Sequence, residues 1–562
     1  MKPTTQQPYP VYPGPQPQPH YPRYAPGYQP PPGPSMPIAR PIGPVPPATP
    51  VPAAQSQPQT SPPAAKQEKS NDYVGQLRTL VKSSGIYALS SLAGPLTSLV
   101  LAPFLTHALS RDEYGALSVL LSAISLIAGI TQLGLGNAFF RAYGYDYESR
   151  GERLRVLSTL VGLLLTISIA ATLAMSFGAS LIALLLFQSA MLTAPVQAAA
   201  LVVLLQNLSV PGLAWLRAEN RPTLYATLSI ANLLVGLVAT LLYVGPLHLG
   251  MTGALLGTAS GYAVVVFGML PVILWEAGLS FDREMAHNML SFGVPLVASF
   301  ISVWVLQLSD RYLLSRFGSL AETASYSIAY TLGNVLGVLV ISPFNLAWPT
   351  TMFSVARRRE APQLFKLIFR WFSVVLLLAA FGLSLAGKFL LEVLFPDSYH
   401  GASPVISLVA MSMVFYGIYN VFNVGISIKR KTWYAVVLTA EAAIFNVVLN
   451  VVLIPLSGAL GAAFSTLLAY AFLSLLAYLV NNQLYPVPFE IGFFLGVLTI
   501  GVALYCVAAF LAQSLDPLST AALYGLTWLA YAVILLLLAR PPLQQLIRLR
   551  HSLAGRRVKR SL

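Results

Sequence analysis

Few side chains in this chain could do chemistry, and most of those sit inside apolar runs. The six histidines, His20, His107, His248, His287, His400 and His551, have no metal-ligand spacing. A single cysteine, Cys506, allows neither an internal disulfide nor a thiolate zinc site. No Gly-x-x-x-x-Gly-Lys-Ser/Thr string is present to cradle a nucleotide phosphate, so no cofactor, metal or direct use of ATP is expected. The informative residues are the ionisable ones within apolar segments. Each costs about 2.5–3.5 kcal/mol at the centre of a membrane helix and should face a bundle interior or a wet cavity. Gln307, Asp310 and Arg311 fall at i, i+3 and i+4, on one helical face. Glu441 lies seven residues after Tyr434, near the middle of another segment. Either acid could bind a proton or a sodium ion. Alternatively, Asp310 and Arg311 neutralise each other, and Glu441 is a protonated acid hydrogen-bonded to a neighbouring helix. Neutral polar side chains recur at helical spacing: Asn137 before Arg141, Ser327 with Thr331 and Asn334, and Tyr416 with Asn420 and Asn423. Such stripes either join helices or line a cavity whose amides and rings meet sugar hydroxyls while Arg141 and Arg311 attract phosphate. Gln206 and Asn207 fit both readings.

The elements that must hold these residues are membrane helices. The chain has 562 residues, 56% hydrophobic and 9% charged, with a mean hydropathy of +0.69. A soluble protein carries about 25% charge, so a soluble enzyme is excluded. Fourteen segments approach the ~20 residues that cross a ~30 Å hydrocarbon core. They are 84–108, 114–141, 155–177, 192–216, 222–246, 250–275, 287–312, 324–349, 364–390, 403–428, 432–455, 458–480, 490–513 and 519–539. The run 179–187 reads as a short interfacial helix or a loop. Pro95, Pro211, Pro295 and Pro343 are expected kinks. Connections are short, as at 246–249, and leave no outer domain large enough to arrange catalytic groups, so the chain is not expected to be an enzyme.

Charge supplies the orientation. From Lys66 onward, twenty-six Lys and Arg fall in the tails and the loops on their side, against Arg111, Arg311, Arg316 and Lys388 on the other. Both termini are therefore expected in the cytoplasm, which requires an even number of spans. The net charge of +14 follows this topology and does not imply a nucleic-acid partner. Residues 1–75 form a Pro/Gln/Tyr-rich tail, and 23 of the chain's 42 prolines lie in the first 70 residues. Such a composition favours solvated polyproline II and buries no core. A partner-binding role for it is the less favoured reading. The basic tail 541–562 closes the chain.

An echo recurs 208 residues apart: Gly250-Met-Thr-Gly253-Ala254 and Gly458-Ala-Leu-Gly461-Ala462, each after a basic turn and an apolar span. Ser83-Ser-Gly85 and Ser291-Phe-Gly293 keep the same offset. Two parallel halves follow, 76–282 and 283–482, with two helices appended over 483–540.

Several strings resemble the polysaccharide and oligosaccharide (O-antigen type) flippases of the multidrug/oligosaccharidyl-lipid/polysaccharide (MOP) exporter superfamily. They are Leu105-Thr-His-Ala-Leu-Ser-Arg-Asp-Glu-Tyr-Gly115, Gly134-Leu-Gly-Asn-Ala-Phe-Phe-Arg141, Gly293-Val-Pro295 with Ser309-Asp-Arg-Tyr-Leu-Leu314, and Tyr326-Ser-Ile-Ala-Tyr330. The resemblance covers about 80–540. It implies an all-α polytopic fold of two six-helix bundles in a MATE-like V around a cavity open to each side in turn. It further implies a bacterial inner-membrane location and a polyprenyl-diphosphate-linked glycan as cargo, its lipid staying in the bilayer. The proline-rich start departs from the family pattern, so any binding of polysaccharide biosynthesis proteins by that tail is not carried over. Lipid II flippases resemble this architecture but usually carry arginine in the first span, where residues 84–107 hold none. A multidrug or cation exporter of the same superfamily would share the helix count, and a membrane scaffold for polysaccharide biosynthesis is the reading with least support from the residues.

Overall fold

The computed structural model describes residues 93–539 apart from Arg357 and Arg359. The expected tails at 1–75 and 541–562, and the start of the first span, lie outside the described residues. All regular structure among the described residues is helical. In chain order the first half comprises α1 (Ala93–Ala108), α2 (Arg111–Thr131), α3 (Leu135–Arg141), α4 (Arg150–Phe177), the short α5 (Ala179–Phe187), α6 (Thr193–Ala218), α7 (Pro222–Val244) and α8 (Gly250–Ala277). The second comprises α9 (Arg283–Phe317), α10 (Leu320–Gly333), α11 (Ser342–Ala356), α12 (Ala361–Leu394), α13 (Ser403–Phe422), α14 (Val424–Ile428) and α15 (Trp433–Leu484), with α16 (Ile491–Leu511) and α17 (Pro517–Ala539) appended.

Twelve helical runs among the described residues are long and apolar enough to cross a membrane, with α1 a shorter apolar helix. The longest, α15, has 52 residues and would measure about 78 Å if straight, far more than a ~30 Å core. It is two passes: Gly458 breaks it at φ 54°, ψ −129°. Two expected spans, 114–141 and 324–349, are each built from two helices: α2 and α3 join through a turn at 132–134, with a π turn at Ala142–Asp146 following α3, and α10 and α11 join through a π turn at Gly337–Ile341. The last of these turns lies directly before Pro343, where a missing N–H must be accommodated.

One local device recurs at both of the glycine motifs. Ser110 caps α2 in a box with Glu113, and Ser319 caps α10 by accepting from the Glu322 amide at 3.1 Å. Each glutamate also reaches a left-handed glycine of its own half: a β-carbon on Gly250 would lie 3.2 Å from Glu113 Oε1, and one on Gly458 3.0 Å from Glu322 Oε1. A carboxylate thus sits at the start of α2 and beside the start of α8, and again at α10 and the second limb of α15, where helix dipoles favour negative charge.

Within the first half α7 packs on α8, and α6 on α4 and α8; within the second, α15 packs on α9 and α13, and α13 on α12. The halves meet where α2 lies along α9 and α10. Trp304 of α9 donates to the Ser122 carbonyl of α2 at 3.0 Å, and one apolar cluster runs through both halves, including Leu117, Leu120, Tyr326 and Ile406. The appended helices are fastened to α12 by polar contacts. Glu490 takes Lys366 at 2.9 Å and Arg370 at 3.3 Å, Arg370 also donates to the Leu538 carbonyl, and Trp528 donates to the Leu378 carbonyl.

Gly458 has a backbone conformation that an L side chain reaches only with strain, and its absent β-carbon faces a carboxylate. Gly458→Ala is expected to destabilise the purified protein by about 1–3 kcal/mol, read as a lower thermal midpoint in detergent. Gly492→Ala, where an added β-carbon meets open space, should not lower it.

Candidate functional site

The polar face expected on 307–311 exists and opens on a cavity. One turn of α9 places Gln307 and Arg311 on a cavity wall, with Asp310 behind them and 2% exposed. Asp310 is fully engaged. Its Oδ1 accepts from the Arg311 backbone N–H at 2.9 Å and lies 3.3 Å from Arg311 Nη1, while Oδ2 accepts from the Tyr326 hydroxyl. Arg311 Nη1 donates to the Gln307 carbonyl at 3.0 Å, and the guanidinium lies 4.6 Å from the Tyr330 ring centroid. Tyr326 and Tyr330 are one turn apart on α10, which returns antiparallel beside α9, so the i,i+4 spacing brings both rings to the ion pair.

The cavity measures about 670 Å³. Ser98 of α1 and Ser125 of α2 contribute from the first half; Tyr330, Asn334, Asn345 and Tyr416 join Gln307 and Arg311 from the second. Among the described residues Arg311 is the only charged one in the lining. Its Nε and Nη2 donate to no described residue, leaving guanidinium N–H groups for an anionic oxygen. Phosphate is the fitting class, because a planar fork meets two oxygens at once.

The other expected site residues are dispersed. Arg141 does not join Arg311: it is mostly exposed, pairs with Asp146 at 3.5 Å and covers the Phe292 ring at 4.9 Å. Asn137 lines a separate cavity of about 390 Å³ with Gln132 and Arg217. Asn207 is buried there behind Gln132, accepting from its amide and donating to Thr131, so this amide joins helices. Asn334 stays in the Arg311 cavity. Asn420 and Asn423 do not line it: Asn420 donates to the Tyr416 carbonyl, and the Asn423 amide oxygen is buried with no partner among the described residues. Glu441 corrects the expectation of a second internal acid. It is exposed, on the helix face of Val437, Ile444 and Val448, whereas the buried face of that limb carries Leu438, Ala442 and Asn446. Heptad kinship with Tyr434 gave its face but not which way that face turns.

Sequence reasoning counted Arg111 only as an outer charge. It bridges the halves: Nη2 donates to Ser325 Oγ at 2.8 Å and to the Ala321 carbonyl at 3.3 Å, and the guanidinium lies over the Tyr399 ring. Directly below, a β-carbon on Gly115 would be 1.9 Å from the Leu320 carbonyl oxygen, so the two backbones touch. The seam between the halves is closed at this end, and Arg111 is its one charged clasp among the described residues.

The sequence profile described as polysaccharide biosynthesis protein matches residues 104–404, more than half of the chain and all of the Arg311 cavity from Ser125 onward except Met413 and Tyr416. The chain belongs to this family. An uncharacterized membrane protein of Methanocaldococcus jannaschii is 23% identical over 214 residues, which is 37% of this chain and 42% of that protein. The matched segment therefore spans less than half of that relative's length. Among solved structures, the lipid II flippase MurJ in an inward closed conformation gives a TM-score of 0.65 at 15% identity, covering 81% of this chain and 98% of that one. An inward-facing multidrug resistance MATE family transporter of the MOP superfamily gives 0.57 at 13%, covering 70% and 94%. At these identities the likeness is one of fold, and it places this polysaccharide biosynthesis family protein in the polytopic MurJ/MATE architecture.

Removing the Arg111 clasp should loosen the seam without unfolding either half. In a Cys506→Ser background, Ala321→Cys is expected to be labelled by a thiol reagent several-fold faster when Arg111→Ala is added. Equal rates would show that the clasp holds nothing shut.

Proposed function

We propose that the protein is a flippase that carries lipid-linked oligosaccharide or polysaccharide repeat units across the bacterial inner membrane by alternating access, with both termini in the cytoplasm. One observation carries the reading: among the described residues the cavity shared by the two halves has a single charged side chain, Arg311, with unspent guanidinium donors among amides and aromatic rings. A diphosphate-linked glycan cannot cross hydrocarbon, but its polar head can pass through a hydrated cavity while the lipid stays in the bilayer. Membership of the polysaccharide biosynthesis family and the MurJ/MATE fold support the same reading. The closed Arg111 end is the outer gate in this scheme.

Coupling to a cation gradient falls to Asp310, which stands directly behind the cavity wall. Glu441 is exposed and is not among the residues that line it. The same carboxylate holds Arg311 in place, so protonating or binding a cation at Asp310 would free the guanidinium. Coupling and cargo capture would then be one event.

A lipid II flippase is the second reading, favoured by a fold shared over 98% of the MurJ chain. The accumulated intermediate separates the two, and drug-resistance assays test the multidrug exporter. Cells lacking the protein are expected to accumulate a polyprenyl-diphosphate-linked glycan on the cytoplasmic leaflet; accumulation of lipid II, or of nothing, would count against the first reading. Arg311→Gln should lower transport at least about tenfold at unchanged protein abundance, with Arg311→Lys in between because an ammonium lacks the planar fork. Asp310→Asn should reduce transport and remove its ion dependence, whereas Glu441→Gln should leave both as they were. Asp310→Asn also leaves a buried cation unpaired, at a cost of about 3–5 kcal/mol, so folded protein must be measured alongside. Normal transport by Arg311→Gln would end the proposal.

A further inference from the structure

The two halves share a scaffold but not an interior. From α15 back to α8, an offset of 208 keeps Gly250, Gly253, Ala254, Thr258 and Tyr262 in the places of Gly458, Gly461, Ala462, Thr466 and Tyr470. From α10 back to α2, an offset of 209 keeps Ser110, Glu113 and Ser118 for Ser319, Glu322 and Ser327. It also puts Leu117 and Leu121 where Tyr326 and Tyr330 stand, and at 208 Ala102 takes the place of Asp310. In the second half rings occupy the corresponding positions beside the Arg311 cavity: the Tyr326 and Tyr330 centroids lie 5.8 Å apart with the rings tilted, and Tyr470 is buried against Tyr416 at 5.4 Å. In the first half, leucine replaces tyrosine twice and a methyl replaces the carboxylate. A cavity of about 460 Å³ is left between α1, α2, α7 and α8.

Its size lies in the ~300–1,000 Å³ range of small-molecule sites and far above the ~10–15 Å³ that one buried water needs. Among the described residues no charged side chain lines it. Ser118 and Thr258 donate to carbonyls of their own helices, but Ser229, Asn232 and Tyr262 make no side-chain hydrogen bond to any described residue. An amide with two donors and an acceptor, a serine, and a phenol with its ring are therefore presented together with their bonding capacity unspent. That set matches the hydroxyls and the apolar face of a sugar. It offers nothing to a net charge, which would be desolvated without a partner. Ser98 belongs to the walls of both this cavity and the Arg311 cavity, so the two adjoin.

We propose that this first-half cavity is a sugar site: neutral sugar residues of the cargo lodge against Ser229, Asn232 and Tyr262 while the diphosphate rests on Arg311. The inference builds on the flippase reading and adds a division of labour, with the second half holding the charge and the first half selecting an uncharged glycan.

Binding to the purified full-length protein in detergent tests it with three probes: a polyprenyl diphosphate without sugar, the same lipid carrying a neutral disaccharide, and the same lipid with a disaccharide ending in a uronic acid. The neutral disaccharide should tighten binding by about tenfold or more over the bare lipid, the scale of one or two hydrogen bonds, and the uronic acid should not. Asn232→Leu and Tyr262→Leu should each remove most of that gain and leave bare-lipid binding within about twofold, which also reports that the variants are folded. The inference is overturned by a neutral disaccharide that binds no better than the bare lipid, by both variants keeping the gain, or by a uronic acid bound equally well. Arg311→Gln should weaken all three probes. If instead it leaves the bare lipid unaffected, the flippase reading itself fails, independently of the sugar site.

Discussion

A charge inside a membrane bundle persists only where every other group is arranged to keep it there, and in this protein that charge is on Arg311. Three elements converge on it. The α9 backbone supplies the Gln307 carbonyl, Asp310 supplies the counter-charge, and α10 supplies the Tyr330 face and the Tyr326 hydroxyl that occupies the second carboxylate oxygen. With both oxygens of Asp310 engaged, the carboxylate is buried without an idle acceptor. The guanidinium keeps its outer donors toward the cavity. The close antiparallel return of α10 beside α9, set by the short turn at Gly318 and the Ser319 cap, is what brings the tyrosines within reach.

That convergence lies wholly within α9 and α10. The glutamate that caps α2 or α10 and meets a left-handed glycine in its own half is kept twice, because the backbone path of each half depends on it. Interiors were free to diverge. Packing density must be kept somewhere, but a bundle whose helices are held at their ends tolerates an uncharged hollow in one half and a ring-lined cavity with a charge in the other. The proposed division of labour uses this asymmetry: identical interiors would compete for the same part of a cargo, whereas unlike ones can hold two parts of it.

Much of the fold was legible in the sequence because its cues are long and redundant. Some twenty apolar residues per span, basic residues at alternate turns and paired glycine motifs gave spans whose ends lie within a few residues of the observed helices, including the short helix at 179–187 and the break inside 433–484. The polar face of 307–311 was legible too, since i, i+3, i+4 spacing needs no partner to be recognised. What failed needed a partner. Glu441 and Asn446 share one helix, and helical periodicity alone does not say which of them turns outward. Arg141 is drawn to Asp146 by a π turn that no propensity announces. The first-half cavity arises from leucines standing where the other half has tyrosines, a signal visible only once the halves are superposed.

In the proposed alternating-access scheme the seam between the halves is the plane of movement. Each half is locked by buried side chains, whereas near the Arg111 end the seam is held by a guanidinium donating to a serine hydroxyl and a carbonyl, with a backbone contact at Gly115. Hydrogen bonds to a charged donor contribute about 1.5–3 kcal/mol each, and solvent recovers part of that when they open. A clasp of a few kcal/mol keeps the closed state dominant yet lets a differential of similar size from cargo or ion binding reverse the balance. A stronger buried ion pair across the seam would fix one state. Placing the strongly held charge within the second half, and a hydrogen-bonded clasp beside the shared apolar cluster between the halves, would reconcile a stable site with the mobile interface that the proposed flippase needs.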